Sequence, residues 1–186
     1  MSPNSERNIN GLDRQADTQY ERLQESLEEY GEEDLVEVNN LEEADNLGDI
    51  PKEEKYRLTD EDTNELLSFY ITTAADIESE SALIINAAVF DFGMMREGSL
   101  QFLNENFTQR DREDMLYYLG LIDDGLKGEL ARVRRRRNEL AHTNQHNDIE
   151  DIDRVQNSIK RAKEAKDKLR SIGDEVEKKK TGFYEE

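Results

Sequence analysis

The sequence predicts an all-α protein, an up-down helical bundle, and three observations support this fold class. Apolar residues recur at intervals of three and four over several long stretches, which is the period of one helical face. The alternation typical of strands and the glycine patterns of nucleotide-binding α/β folds do not occur in the sequence. Two of the periodic stretches begin with a threonine that an acidic residue follows three positions later, a common signal for the start of a helix.

The first stretch predicts a helix from about Ser5 to Tyr30. Its apolar stripe is thin and its other positions are mostly polar, so we expect an appended helix that pairs with a partner or stays partly disordered. Gly31 ends the pattern, and the acidic stretch Glu32–Glu54 reads as a linker. Residues 1–58 are therefore predicted to be an acidic N-terminal extension, a helix followed by a linker.

The helical bundle itself is expected over residues 59–178. Thr59 provides an N-cap hydroxyl, and the wide apolar face that follows predicts a helix over Thr59–Glu78. After Ser79–Ser81 comes the most apolar run of the chain, Ala82–Met95, whose length and alanine content favour a buried central helix over a strand.

Three further helical segments complete the prediction. Leu100–Phe107 reads as a short helix or packed turn, and Thr108 opens a third long helix that reaches Val133. Three glycines interrupt that helix pattern: Gly120, Gly125 and Gly128. The last helix, Asp148–Lys178, has a regular apolar stripe in which only Lys166 is polar, so it can pack on the core and also pair with another subunit. Residues 179–186 are expected to be a solvated tail.

Charge divides the chain unevenly. The net charge of the 186 residues is −20, yet residues 129–186 hold 15 basic and 13 acidic groups. Such an acidic surface repels phosphate unless positive charge is gathered locally. The acidic excess, 15 arginines against 10 lysines and the absence of tryptophan are typical of halophilic proteins, although an ordinary acidic protein has a similar composition.

Composition also excludes several classes of site. The absence of cysteine excludes disulfides, thiolate metal sites and a cysteine nucleophile, and two histidines argue against a zinc site, so we expect no metal and no cofactor. The N-terminus lacks the architecture of a signal peptide, and no apolar stretch is long enough to span a bilayer. The sequence therefore predicts a cytoplasmic protein without membrane association.

One segment of the sequence combines a cluster of positive charge with a candidate catalytic residue. Five arginines fall within six residues between the third and last predicted helices, and His142 follows them. The cluster consists of Arg132, Arg134, Arg135, Arg136 and Arg137. It is either a local phosphate site or a counter-charge that neutralises the acidic bundle and the C-terminal end of a helix.

The residues Arg137-Asn138, followed by His142, resemble the Arg–polar–His signature of the HEPN superfamily. The resemblance covers about residues 59–172. It implies an all-helical, typically dimeric bundle and a metal-independent ribonuclease of the kind found in toxin–antitoxin, defence, stress-response and RNA-processing systems. RNA, a second copy of the chain and an antitoxin or other protein partner are the expected partners. In toxins of this superfamily that a nucleotidyltransferase antitoxin controls, a tyrosine stands two residues after the histidine, whereas this chain has Asn144 there.

RNA cleavage without metal requires a proton acceptor, a proton donor and a positive group at the phosphoryl oxygens. We assign His142 as general base or acid, Arg137 as the transition-state clamp and Asn138 as an orienting or phosphate-binding donor. The other four arginines of the cluster are expected to hold flanking phosphates. A packed, non-catalytic histidine is the competing interpretation of His142.

Helical geometry constrains this assignment. In one straight helix Asn138 and His142 lie about 40° apart, whereas Arg137 and His142 lie about 140° apart. Either the helix ends near Arg137 and His142 swings back, or two subunits share the active groove. The alternative function is a non-catalytic interaction protein whose arginine cluster binds an acidic partner or the acidic N-terminal segment of its own chain.

Overall fold

The computed structural model describes residues 6–30, 56–90, 98–142 and 149–182. Within them the chain forms six α-helices: α1 (Glu6–Glu28), α2 (Asp60–Ile85), α3 (Ser99–Asn106), α4 (Gln109–Tyr118), α5 (Asp124–His142) and α6 (Ile152–Gly182). A π-helical turn, Asn86–Phe90, continues α2. These helices pack against one another, which confirms the predicted all-α bundle.

Helix α2 is the centre of this bundle and contacts each of the other five helices. Its core-facing side chains include Leu66, Phe69, Ile77 and Ile84, each exposed by no more than 1%. Ser79–Ser81, expected to separate two helices, lies inside α2 instead. The segment contains neither glycine nor proline, and Ser81 is small enough to be fully buried, so nothing ends the helix there. The C-terminal end of the predicted second helix, including Met94 and Met95, lies outside the described residues.

Helices α4 and α5 replace the single long helix expected over Thr108–Val133. Thr108 and Asp111 form the predicted capping box at the start of α4. The chain leaves the helix at Gly120, whose φ of 70° lies in the left-handed region that glycine adopts without strain. Gly125 and Gly128 lie within α5, so only one of the three glycines breaks the helix.

Helix α1 belongs to the core and is not an appendage. It packs on α2 and α6, and Leu23 and Leu27 are buried in the common hydrophobic cluster. Its C-terminal end is fixed by Asp62 of α2, whose carboxylate accepts hydrogen bonds from Ser26 and, at 2.6 Å, from Tyr30. Burial opposes ionisation of Asp62, but these hydroxyl donors outweigh it and hold its pKa below the usual value. The linker predicted at Glu32–Glu54 lies outside the described residues.

Two segments of two residues form a short antiparallel bridge. The strands β1 (Tyr56–Arg57) and β2 (Ile149–Glu150) pair just before α2 and α6, respectively. The bridge joins the chain segments that lead into these two helices. Strands this short leave no alternating pattern in a sequence, which is why none was predicted.

Candidate functional site

Helix α5 carries the whole predicted motif without a break. It runs from Asp124 to His142, so it does not end near Arg137. Asn138 and His142 are both exposed and lie one helical turn apart on the same face, whereas Arg137 points about 140° away from His142. A single copy of the chain therefore does not bring Arg137 and His142 onto one face, and only the shared groove remains of the two expected arrangements.

Arg137 lies against helix α2. Its Nη1 is 3.5 Å from Oε1 of Glu78, and its Nε and Nη2 donate to Oδ1 of Asn138 at 3.2 and 3.0 Å. The guanidinium is thus held in a defined direction by one charged and one neutral acceptor. Both partners are on the protein surface or half-buried, so an incoming phosphate can compete with them.

Arg134 makes a structural ion pair. Its Nε and Nη2 donate to the two carboxylate oxygens of Glu113 in α4 at 3.4 and 3.2 Å. The side chain of Glu113 is only 2% exposed. Burial raises the pKa of Glu113, and the hydrogen bonds from Arg134 partly offset that rise. A phosphate contact by Arg134, as the sequence suggested, would leave a carboxylate buried without this partner.

The other three arginines of the cluster turn in different directions. Arg132 pairs with Glu129, Arg136 Nη1 lies 3.7 Å from Glu139 Oε2, and Arg135 Nε donates to its own helix at the carbonyl of Ala131, 3.3 Å away. Successive residues of a helix point about 100° apart, so a run of arginines spreads around the axis. The five guanidinium groups therefore do not form one phosphate site.

A pocket does collect positive charge, but it combines residues from three helices. It has a volume of about 210 Å³ and lies between α2, α5 and α6. Its polar lining residues are Tyr70, Glu129, Arg132, Arg154, Asn157, Ser158 and Arg161. At its base the hydroxyl of the buried Tyr70 lies 2.5 Å from that of Ser158. Of the predicted phosphate-binding residues only Arg132 lines this pocket.

The contribution of α6 to this pocket was not predicted from the sequence. Arg154, Ser158 and Arg161 recur at intervals of four and three, so they form a polar stripe along one side of the helix. That stripe was present in the sequence beside the apolar one. It was not recognised because phosphate binding was assigned to the dense arginine run in α5.

A second polar cluster is buried where α1, α2 and α6 meet. Lys166, the only polar residue in the apolar stripe of α6, is 5% exposed and its Nζ lies 3.4 Å from Oδ1 of Asp17. Burial raises the pKa of the nearby Asp76 to about 6, although the charge of Lys166 opposes this. The lysine therefore balances the charge of two carboxylates, the partly exposed Asp17 and the half-buried Asp76.

Glu80 of α2 lies one turn further along, near the acidic residues Asp76, Asp174 and Glu177. Its carboxylate packs against Gly173 of α6, where a Cβ atom would clash with it. Burial, together with the charges of Asp174, Glu177 and Asp76, raises the pKa of Glu80 to about 7. The folded state thus binds a proton at Glu80 at pH values where the unfolded chain has already lost it.

We expect Glu80→Gln to remove part of the pH dependence of stability. Because the folded-state pKa is raised from 4.5 to about 7, wild type should lose stability as the pH rises from about 5 to 8. The variant should be more stable than wild type at pH 8 by about 1–2 kcal/mol, after allowance for partial solvent screening, and nearly equal at pH 4.5. Urea unfolding at both pH values measures this. Glu65→Gln, also half-buried on α2, is the control; an equal effect of both variants would contradict the role of Glu80.

Neither a membrane span nor a metal site is found in the part of the chain that the structure describes. Each helix there is too short or too polar to span a lipid bilayer. The same residues contain no group of three or more histidine or acidic side chains placed to hold a metal ion. Comparison of the chain with protein-family models, with curated proteins and with solved structures found no match.

Proposed function

We propose that this protein is a HEPN-like, metal-independent endoribonuclease that acts as a homodimer. The observation that carries the proposal is the surface at the C-terminal end of α5, where Asn138 and His142 are exposed on one face and Arg137 is tied to Asn138. Two copies of α5 that face each other would place the arginine of one chain near the histidine of the other. Such a dimer would bring Arg137 and His142 together, which a single helix does not do.

The chemistry divides among these three residues. His142 abstracts the proton of a 2′-hydroxyl or protonates the leaving 5′-oxygen, since an imidazole can act as a proton acceptor or a proton donor. Arg137 exchanges its contact with Glu78 for the oxygens of the scissile phosphate, where it stabilises the charge that develops in the transition state. Asn138 orients Arg137 and donates from its amide to the phosphate.

RNA cleavage by the full-length chain in EDTA tests this proposal. We expect wild type to cleave a single-stranded RNA, and His142→Ala to reduce the rate by about 100-fold or more. Arg137→Ala should have an effect of similar size. His146→Ala, which removes the second histidine of the chain, is the matched control and should retain full activity. Undiminished cleavage by both the Arg137 and the His142 variants would overturn the assignment.

The shared groove makes a separate prediction. Neither single variant has an intact pair, but a mixture of Arg137→Ala and His142→Ala should regain part of the activity, because a mixed dimer contains one intact pair. Light scattering should show a dimer under the same conditions. A monomer in light scattering, or a mixture as inactive as its two components, would contradict a groove shared between subunits.

A non-catalytic interaction protein is the second candidate. One observation favours it: Arg134 and Arg137 already pair with carboxylates of this chain, which shows that the cluster accepts acidic side chains as ligands. A partner that presents acidic groups would compete with these carboxylates for the same arginines. The absence of cleavage by wild type in the assay above, over a range of salt concentrations, would favour this candidate.

A further inference from the structure

The pocket between α2, α5 and α6 differs from the rest of this acidic protein. Three of its lining residues are arginines and one, Glu129, is acidic, whereas the whole chain has a net charge of −20. The arginines come from two helices: Arg132 from α5, and Arg154 and Arg161 from α6. Positive charge that is brought together from separate helices in this way draws anions to one place on a surface that otherwise repels them.

The base of the pocket adds hydrogen-bonding groups to this charge. Tyr70 is 1% exposed, and its hydroxyl shares one hydrogen bond with Ser158. Asn157 contributes an amide to the same lining. Guanidinium, hydroxyl and amide groups in one lining match the oxygens of a phosphoryl group.

The size of the pocket narrows the ligand class. Its volume of about 210 Å³ is below the usual range of sites for drug-sized molecules. It has space for a phosphoryl group and part of the group that is attached to it. We propose that this pocket binds a small phosphomonoester, such as a mononucleotide, through Arg132, Arg154 and the hydroxyl of Ser158.

The arginines that would bind the ligand have acidic partners in the present structure. Arg132 pairs with Glu129, and Arg154 Nε lies 3.2 Å from Asp151 Oδ2. A phosphate with two negative charges can replace either single carboxylate, most easily at these exposed positions. Glu129 lines the pocket as well as pairing with Arg132, so it competes directly with an anionic ligand. Removal of the charge of Glu129 should therefore strengthen ligand binding.

The site does not depend on the proposed ribonuclease activity. Arg132 lies about 80° from His142 around the axis of α5, in the opposite rotational sense to Asn138. Neither Arg137, Asn138 nor His142 lines it. Loss of phosphomonoester binding and loss of RNA cleavage are therefore separable results.

Calorimetric titration of the full chain with AMP at low ionic strength tests the proposal. Arg132→Gln should weaken binding roughly tenfold, and Ser158→Ala several-fold. Glu129→Gln should strengthen it several-fold. Arg135→Gln is the matched control, because it removes the same charge from an exposed position of α5 outside the pocket, and it should leave the affinity within about twofold.

Two further titrations distinguish a phosphomonoester from the phosphate backbone of RNA as the ligand. Adenosine, which lacks the phosphate, should not bind, and an RNA oligonucleotide with a 5′-hydroxyl should not displace AMP. Displacement by that RNA with the same dependence on Arg132 would assign the pocket to the RNA backbone and overturn the phosphomonoester proposal. The proposal would also fail if AMP does not bind at millimolar concentration, or if Arg132→Gln and Arg135→Gln weaken binding equally.

Discussion

Arg134→Ala should lower the free energy of unfolding by about 3–5 kcal/mol, one of the largest effects expected of any single substitution in this chain. The reason is the position of Glu113, whose side chain is 2% exposed and receives two hydrogen bonds from Arg134. Without the guanidinium, the carboxylate must either remain charged in a poorly solvated place or take up a proton. Urea unfolding at pH 7, followed by the helical circular dichroism signal, measures the loss.

Two matched variants separate this explanation from a general effect of charge. Arg135→Ala removes an exposed arginine from the next position of α5 and should change stability by no more than about 0.5 kcal/mol. The double variant Arg134→Met with Glu113→Leu should recover most of the loss, because it removes the buried charge together with its partner. Equal losses for Arg134→Ala and Arg135→Ala would contradict the structural ion pair.

This pair also shows why the arginine cluster was only partly predictable. The sequence gives the position of five arginines within six residues but not the direction of each side chain relative to other helices. Glu113 lies 21 positions earlier, and nothing in its surroundings distinguishes it from a surface acid. Its role appears only once α4 packs on α5. The residues of a charge run on a helix therefore have to be assigned to the different faces of that helix before a function is assigned to the run.

The helices themselves were more predictable because their signal is local. The intervals of three and four in α1 and α6 reflect which face meets the core, and the Thr108 capping box forms within four residues. The incorrect predictions concern the positions at which one helix ends and the next begins. Ser79–Ser81 does not interrupt α2, whereas Gly120 ends the helical segment before α5. Whether a small or polar residue ends a helix depends on the packing around it, which the local sequence does not contain.

The thin apolar stripe of α1 was interpreted as an appended helix for a similar reason. A stripe a few residues wide is sufficient when the neighbouring helix supplies polar partners as well as apolar contacts. Asp62 of α2 accepts hydrogen bonds from Ser26 and Tyr30, and Lys166 of α6 pairs with Asp17. These partners lie at least 32 positions away in the chain, so the sequence pattern of α1 alone could not reveal them.

We expect Leu23→Ala to destabilise the whole bundle by about 2–5 kcal/mol, since Leu23 is completely buried and its truncation leaves a cavity in the common core. The measurement is the midpoint of urea unfolding. Arg22→Ala, an exposed neighbour on the same helix, is the control and should shift stability by no more than about 0.5 kcal/mol.

The outcome of this experiment depends on whether α1 unfolds together with the rest of the bundle. If α1 is part of one cooperative unit, Leu23→Ala lowers the midpoint of a single transition and leaves its slope unchanged. If α1 were an appendage, the main transition would keep the wild-type midpoint, and only a small early loss of helical signal would appear. The burial of Leu23 in the common hydrophobic cluster, together with the packing of α1 on α2 and α6, predicts the first result, because a cavity in a shared core weakens the packing of the whole bundle.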